Sequence, residues 1–231
     1  SPLQMLRRED LVLDFGQDKP RGWRVNAERE RQLFLNIGTG TDMTDVGKYY
    51  VLNEMMKYEG AIAYDDLERG ELKEEIYPPM RWWTIDHQPW NYLSNRLSAT
   101  MYDVAKQLMI KKIAGRVLEP ASSPYGNKWF LVRKKDFNPS KPIDTNWRML
   151  EDLQPLNAVM IKDAGRPPAV EIFSEQFGGA KLASLLDLLS GYDELLLALI
   201  NRNQTAFHSP EGQLRYRVTP QGASNSVAGF Q

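Results

Sequence analysis

The chain contains no cysteine. Disulfides, thiolate zinc sites and thiol nucleophiles are excluded together. Histidine is nearly absent: His87 and His208 are the only two. A histidine-based metal site or nucleophile triad therefore lacks the side chains to build it. No apolar run approaches the ~20 residues a membrane helix requires. The N-terminus shows no charged-then-apolar targeting pattern. No internal repeat or low-complexity tract interrupts the chain. These absences suggest an intracellular protein, cytoplasmic or nuclear, without membrane association.

What is present fits a globular protein. The 231 residues are 42% hydrophobic and 26% charged, enough to bury one large domain or one and a half. The net charge of -1 hides an asymmetry. Lys106, Lys111, Lys112, Arg116, Lys128, Arg133, Lys134, Lys135, Lys141 and Arg148 crowd one stretch, against Glu119, Asp136 and Asp144. The first eighty residues lean acidic, with Asp65, Asp66, Glu68, Glu71, Glu74 and Glu75 close together. A local basic surface binds phosphates even on a neutral chain. The plainer reading is a solvated face.

The hydrophobic pattern changes along the chain. Residues 1–48 hold many breakers and read as an extended arm with one helix over 27–35. Apolar spacing predicts an amphipathic helix over 49–64. Pro78-Pro79 breaks the chain, and the tryptophan-rich stretch 81–90 favours extended structure. The clearest helix spans 100–117, with Thr100 as its cap and Gly115 near its end. Residues 128–135 and 147–153 read as a hairpin with a long polar tip. A short helix is expected over 169–177, followed by a buried strand over 182–186. Three further strands are expected over 195–200, 204–208 and 213–218, with a turn at Ser209-Pro210-Glu211-Gly212 between the last two.

A few polar residues on this frame carry chemistry. Asp187 ends the apolar run Ser184-Leu185-Leu186, where an acid is costly unless it binds a metal or finds donors. Hard Mg²⁺ prefers carboxylate and carbonyl oxygens, so Asp187 with the Leu188 carbonyl forms part of a site. Read alone, a strand-end cap or salt-bridge partner is the commoner role for Asp187. Tyr192 follows across the Ser190-Gly191 turn; it fits either a sugar contact or a core tyrosine. Gln221-Gly222 reads as the opening of a helix, with Gln221 a nucleotide contact or a cap. Arg133-Lys134-Lys135 and Arg148, on opposite arms of the hairpin, could clamp a triphosphate. A lysine-protected strand edge is the alternative.

The ordered set is more specific than any member. It runs Pro78-Pro79, Thr84-Ile85-Asp86-His87-Gln88-Pro89-Trp90, Leu118-Glu119-Pro120-Ala121-Ser122-Ser123-Pro124-Tyr125 and Lys128-Trp129-Phe130-Leu131-Val132-Arg133-Lys134-Lys135. Trp147-Arg148, Asp152-Leu153-Gln154-Pro155-Leu156-Asn157, Asp163-Ala164-Gly165-Arg166-Pro167-Pro168 and the segments around Asp187 and Pro220-Gln221-Gly222 follow. Over about residues 50–231 this resembles the reverse transcriptase of Ty3/gypsy-type long-terminal-repeat retrotransposons, especially fungal ones.

The resemblance implies an α+β fold: reverse-transcriptase-like fingers and a truncated palm with an N-terminal extension. It implies an N-terminal arm (1–48) of unknown role, a helix and extended lead-in (49–99), a fingers-like region (100–180) and a partial palm (181–231). It makes Asp187 the first metal-binding aspartate, Leu188 the carbonyl donor, and Tyr192 the sugar gate. Lys134 and Arg148 become triphosphate contacts, Gln221 a nucleotide contact, and Ser226 and Phe230 members of the helix behind the template side. The sequence departs from the family in a long fingertip, 137–146, and in Glu194, where glutamine is frequent.

The family's later carboxylate pair is not among these residues, and one carboxylate cannot hold two metal ions. The expectation is a retrotransposon-derived fragment that is not polymerase-competent alone. Such a fragment would bind RNA or DNA or a protein, with Mg²⁺ at an incomplete site. A homodimer or partner chain would cover the open palm edge at 182–186. The alternatives are the N-terminal part of an active RNA-directed DNA polymerase and a repurposed interaction module.

Overall fold

The computed structural model describes residues 24–64, 67–94, 96–165, 169–176, 178–179 and 188–230. The expected strand 182–186 and Asp187 lie outside the described residues. The chain divides into two compact units, Ser1–Tyr64 and Asp65–Gln231.

The described part of the first unit, 24–64, is helical. Helix α1, Ala27–Asn36, starts where the Asn26 side chain accepts the Arg29 N–H at 2.9 Å. Helix α2, Asp45–Lys57, starts where Thr44 accepts the Gly47 N–H. Each cap satisfies a donor that the first turn leaves open. The helix expected over 49–64 thus begins four residues earlier and ends earlier, and a 3-10 turn, Glu59–Ala61, follows it. Val25, Leu52 and Met56 form the buried centre, with Leu33, Phe34, Ile37 and Tyr64 packed around it. Glu59 is buried because its carboxylate accepts the Arg24 and Val25 N–H groups.

The second unit carries helix α3, Ala99–Ala114. Ser98, not Thr100, is its cap, accepting the Met101 N–H. Val104, Ala105, Leu108 and Met109 form its buried stripe. At its end, Arg116 rather than Gly115 takes the left-handed conformation, at φ 58°. The Val117 N–H returns to the Lys112 carbonyl and directs the chain into strand β1, Leu118–Pro120.

Strands β2, Lys128–Arg133, and β3, Trp147–Asp152, form the expected hairpin, with Val132 opposite Arg148 and Trp129 opposite Glu151. Between them lies the short helix α4, Ile143–Asn146. Helix α5, Gln154–Val159, begins at a proline suited to a first turn. The sequence analysis predicted no helix here. Helix α6, Val170–Gln176, falls where the short helix was expected.

The stretch 195–200 departs from its expected strand. Leu196 and Leu197 make single bridges to Val218 and Met80, and the chain then turns into helix α7, Leu199–Arg202. Asn201 explains the turn. Its buried amide oxygen accepts the Trp82 N–H and its amide donates to the Trp82 carbonyl. A continuing strand would give up both. A 3-10 turn, Asn203–Thr205, shortens the next expected strand to β4, Phe207–Ser209. Strand β5, Gly212–Tyr216, pairs antiparallel with β4 and β1 in the order β1-β5-β4. Helix α8, Ser226–Phe230, begins five residues after Gln221, so Gln221 opens no helix. Gly222 instead makes a turn at φ 101°, in the left-handed region that glycine enters without a Cβ clash.

Two buried clusters hold this unit. One joins Ala105 and Met109 of α3 to Trp129, Met149, Phe207, Leu214 and Tyr216, under the hairpin and the sheet. The other joins Met80 and Trp82 to Leu153, Leu156, Met160, Leu195, Leu197 and Ala223. The tryptophan-rich lead-in is thus core, with Trp82 buried and Trp83 outward beneath the Arg81 guanidinium at 4.3 Å.

Candidate nucleotide site

The hairpin brings the two expected triphosphate contacts to one place. Register sets Arg148 opposite Val132, and the Lys134 N–H extends the ladder by donating to Asn146 at 2.9 Å. The long fingertip is tied down rather than open. Buried Asn146 accepts the Asn138 N–H and donates to the Asn138 and Lys141 carbonyls. Arg133 lies over the Phe137 ring at 3.8 Å, and that ring meets Trp147 edge-on. These contacts fix the backbone from which Lys134 projects.

Lys134, Arg148 and Gln221 line one cleft of about 300 Å³, together with Ser190. Three cations that sequence reasoning did not assign to a site join them: Arg69, Lys111 and Lys112. The two lysines occupy the last turn of α3, where positive charge also offsets the helix dipole. Their place in the basic stretch was visible; their convergence with Lys134 needed the fold. Arg69 gave no signal. Its side chain is 3% exposed, donates to the Gly115 carbonyl at 2.7 Å, and pairs with Asp193 at 3.3 Å.

Asp193 belongs to a tight turn. Ser190 is left-handed at φ 55°, and Gly191–Glu194 form one 3-10 turn. A non-glycine residue in that region costs about 1 kcal/mol, so neighbours must hold the turn. The Leu72 N–H donates to the Glu194 carbonyl at 3.0 Å. Gly191 lies against Phe230 so closely that a Cβ would meet the ring at 2.7 Å. Burial pushes the Glu194 carboxyl up from its ordinary value, with Arg69 opposing and Asp193 adding.

Tyr192 shares this turn but does not line the cleft with Lys134 and Arg148. Its ring packs on Phe230, with centroids 5.1 Å apart. Leu188 is exposed. Asp187 lies outside the described residues. Among the described residues, no three Asp, Glu or His groups converge as a metal site. Ser226 and Phe230 sit in α8, where Ser226 donates to the Pro220 carbonyl and holds the Gln221 turn.

The cleft also holds Glu151. The residue is partly exposed as a whole, yet both carboxyl oxygens are buried and no hydrogen bond reaches either. Burial pushes this carboxyl well above the usual carboxylate range, with Asp152 adding to the effect.

This geometry has counterparts. No family model matches the chain. The Pol polyprotein of transposon 412 from Drosophila melanogaster is 31% identical over 121 residues, covering 52% of this chain and 10% of that polyprotein. The Pol polyprotein of transposon gypsy from the same organism is 27% identical over 152 residues, covering 64% and 14%. Among solved structures, the protease-reverse transcriptase of Prototype Foamy Virus matches with a TM-score of 0.67 at 19% identity, covering 87% of this chain and 26% of that one. A foamy viral protease-reverse transcriptase in complex with an RNA/DNA hybrid matches with a TM-score of 0.66 at 18% identity, covering 87% and 25%. The chain has the α+β reverse-transcriptase fold. It is a reverse-transcriptase-like chain related to retrotransposon Pol polyproteins, and it spans about a tenth to a seventh of those two relatives. No helix among the described residues is long and apolar enough to cross a membrane.

Proposed function

We propose that this chain is the nucleotide-receiving half of a Ty3/gypsy-type RNA-directed DNA polymerase, with fingers over 100–180 and the first part of a palm over 181–231. It binds a nucleoside triphosphate and RNA or DNA, and it does not polymerise alone. The observation that carries the reading is the convergence of Lys134, Arg148, Gln221 and Ser190 on one cleft. Five cationic side chains line that cleft against two acids. Such an excess, with one arginine fork and several ammonium points, suits a triphosphate.

In this reading Lys134 and Arg148 take the phosphates, Gln221 contacts the nucleotide, and the turn holding Tyr192 faces the sugar. Asp187 and the Leu188 carbonyl are the proposed Mg²⁺ ligands. One carboxylate does not complete a two-ion site.

The test uses an RNA/DNA hybrid and labelled deoxynucleotides. The 231-residue chain is expected to bind the hybrid with an affinity that falls linearly on a logarithmic salt scale. It is expected to incorporate no label with Mg²⁺ or Mn²⁺. Salt-independent binding, or no binding, sinks the nucleic-acid part. Incorporation that disappears in Asp187→Ala sinks the claim of incompetence.

A partner is also proposed, on the expectation that residues 182–186, outside the described residues, form a palm strand whose edge would associate if left unpaired. Light scattering at micromolar concentration is expected to show a species twice the 26.5 kDa chain mass. A monodisperse monomer would overturn that part alone.

A further inference from the structure

Glu151 is not used by the reading above, and its surroundings are unusual for a carboxyl. It faces the core side of β3 with Met149, opposite Trp129. Neither oxygen has a hydrogen-bond partner. The nearby Asn127 amide opposes the effect of burial on this carboxyl, but both amide hydrogens already go to the Gln204 and Ala206 carbonyls. Asp152 on its own strand and the Tyr216 phenol on β5 are the titratable groups that interact with it. The cleft's cations approach from α3, the fingertip and Arg69, and Asp193 is already paired to Arg69. None of them hydrogen-bonds Glu151.

A buried carboxyl without donors is stable only when neutral. Ionised, it would add a negative charge to the lining of the cleft proposed to hold the triphosphate. We infer that Glu151 makes anion capture by this cleft proton-linked: the cleft binds a polyphosphate while Glu151 holds a proton and loses affinity as that proton leaves. The inference rests on the cleft being the triphosphate site.

The sign follows from linkage. A bound polyanion makes ionisation of Glu151 harder, so binding takes up protons near the free protein's titration. Burial raises this carboxyl from its ordinary 4.5, so the window opens above that value. The limiting slope for one proton is about tenfold in affinity per pH unit. Folding shows the same direction. The folded state holds this proton more tightly, so the contribution of Glu151 to stability is fully present in acid and declines as pH rises from the unfolded value through the folded one.

The probe is inorganic tripolyphosphate, titrated calorimetrically into the whole chain in buffers of different ionisation enthalpy. The native chain is expected to take up protons beyond those tripolyphosphate itself exchanges. Glu151→Gln, neutral and isosteric, is expected to remove that excess, flatten the affinity profile and retain binding in acid. Infrared difference spectra provide a second readout: a protonated-carboxyl band present in the native chain and absent from the variant. If Glu151→Gln folds poorly, Glu151→Leu serves the same comparison. Equal proton uptake in native chain and variant overturns the inference while leaving the cleft reading intact. Failure of either protein to bind tripolyphosphate at any pH overturns the cleft reading, and the inference with it.

Discussion

Asn127→Ala is expected to cost the second unit about 3–5 kcal/mol, the range of a broken buried polar network. Asn127 is fully buried and forms a junction. Its amide oxygen accepts the Trp90 indole N–H at 2.7 Å, and its amide donates to Gln204 at 2.8 Å and to Ala206 at 3.1 Å. Truncation leaves the Gln204 carbonyl and the Trp90 indole without these partners inside the protein. Each orphaned buried group costs about 1–3 kcal/mol, far more than the net worth of a hydrogen bond. A domain's whole stability is roughly 5–15 kcal/mol, so this substitution removes a large share. At this chain length the melting temperature should fall by roughly 10 °C. Thermal unfolding followed by tryptophan fluorescence measures it, and a fall of under ~2 °C would show that the network is dispensable. The consequence reaches function, because the Asn127 side chain fastens the root of β2 to the Gln204 and Ala206 carbonyls, leaving only the backbone Asn127 N–H bond to Ala206 after truncation. A loosened root moves Lys134 and Arg148 together.

Much of this frame was legible in the chain. Helix α3 and the hairpin were foreseen because their signals are local: a 3.6-residue apolar stripe and two β-rich runs around a polar tip. Helix α1 and α6 fell close to their expected places for the same reason. The failures share a cause. Leu195–Ile200 reads as a buried strand by composition, yet Leu199 and Ile200 are two-thirds exposed. The deciding contact is Asn201 with Trp82, 119 positions apart, which no window along the sequence contains. Helix α5, where no helix was predicted, has a proline in its first turn. Ser98 is the cap rather than Thr100 because the helix starts at Ala99, and a Ser or Thr two residues away offers the same capping chemistry to a window along the sequence.

The candidate site was legible in part. Lys134, Arg148 and Gln221 were named from the sequence, and the structure brings them to one cleft. Tyr192 was also named, and its ring lies instead on Phe230. Arg69 escaped notice because an isolated arginine in an acidic lead-in carries no pattern. Its role follows only from the fold, which sets it between the α3 terminus and the Asp193 turn. Glu151 escaped for a related reason. In β3 the alternation is legible, but a carboxyl on the core side looks like a register error until its burial is seen.

Arg148→Met should weaken deoxynucleoside triphosphate binding by about 10–100-fold. A hydrogen bond to a charged group contributes roughly 1.5–3 kcal/mol, and each ~1.4 kcal/mol is tenfold in affinity. Arg148→Lys keeps the charge and loses the planar fork, so it should recover only part of the loss. Lys134→Met should cost about tenfold, since an ammonium grips phosphate as a point charge. The two residues share one ligand, so the double variant should not show the product of the single effects. Both losses should shrink at high salt, which screens the remaining attraction. Lys106→Met provides the control. It lies outside the cleft, paired to Glu211 at 2.7 Å, and should leave affinity unchanged. Calorimetric titration at fixed ionic strength measures the native chain and all five variants. If Lys106→Met weakens binding as much as Arg148→Met, the triphosphate is held by diffuse positive charge on α3 and the hairpin, and the cleft has no special claim on it.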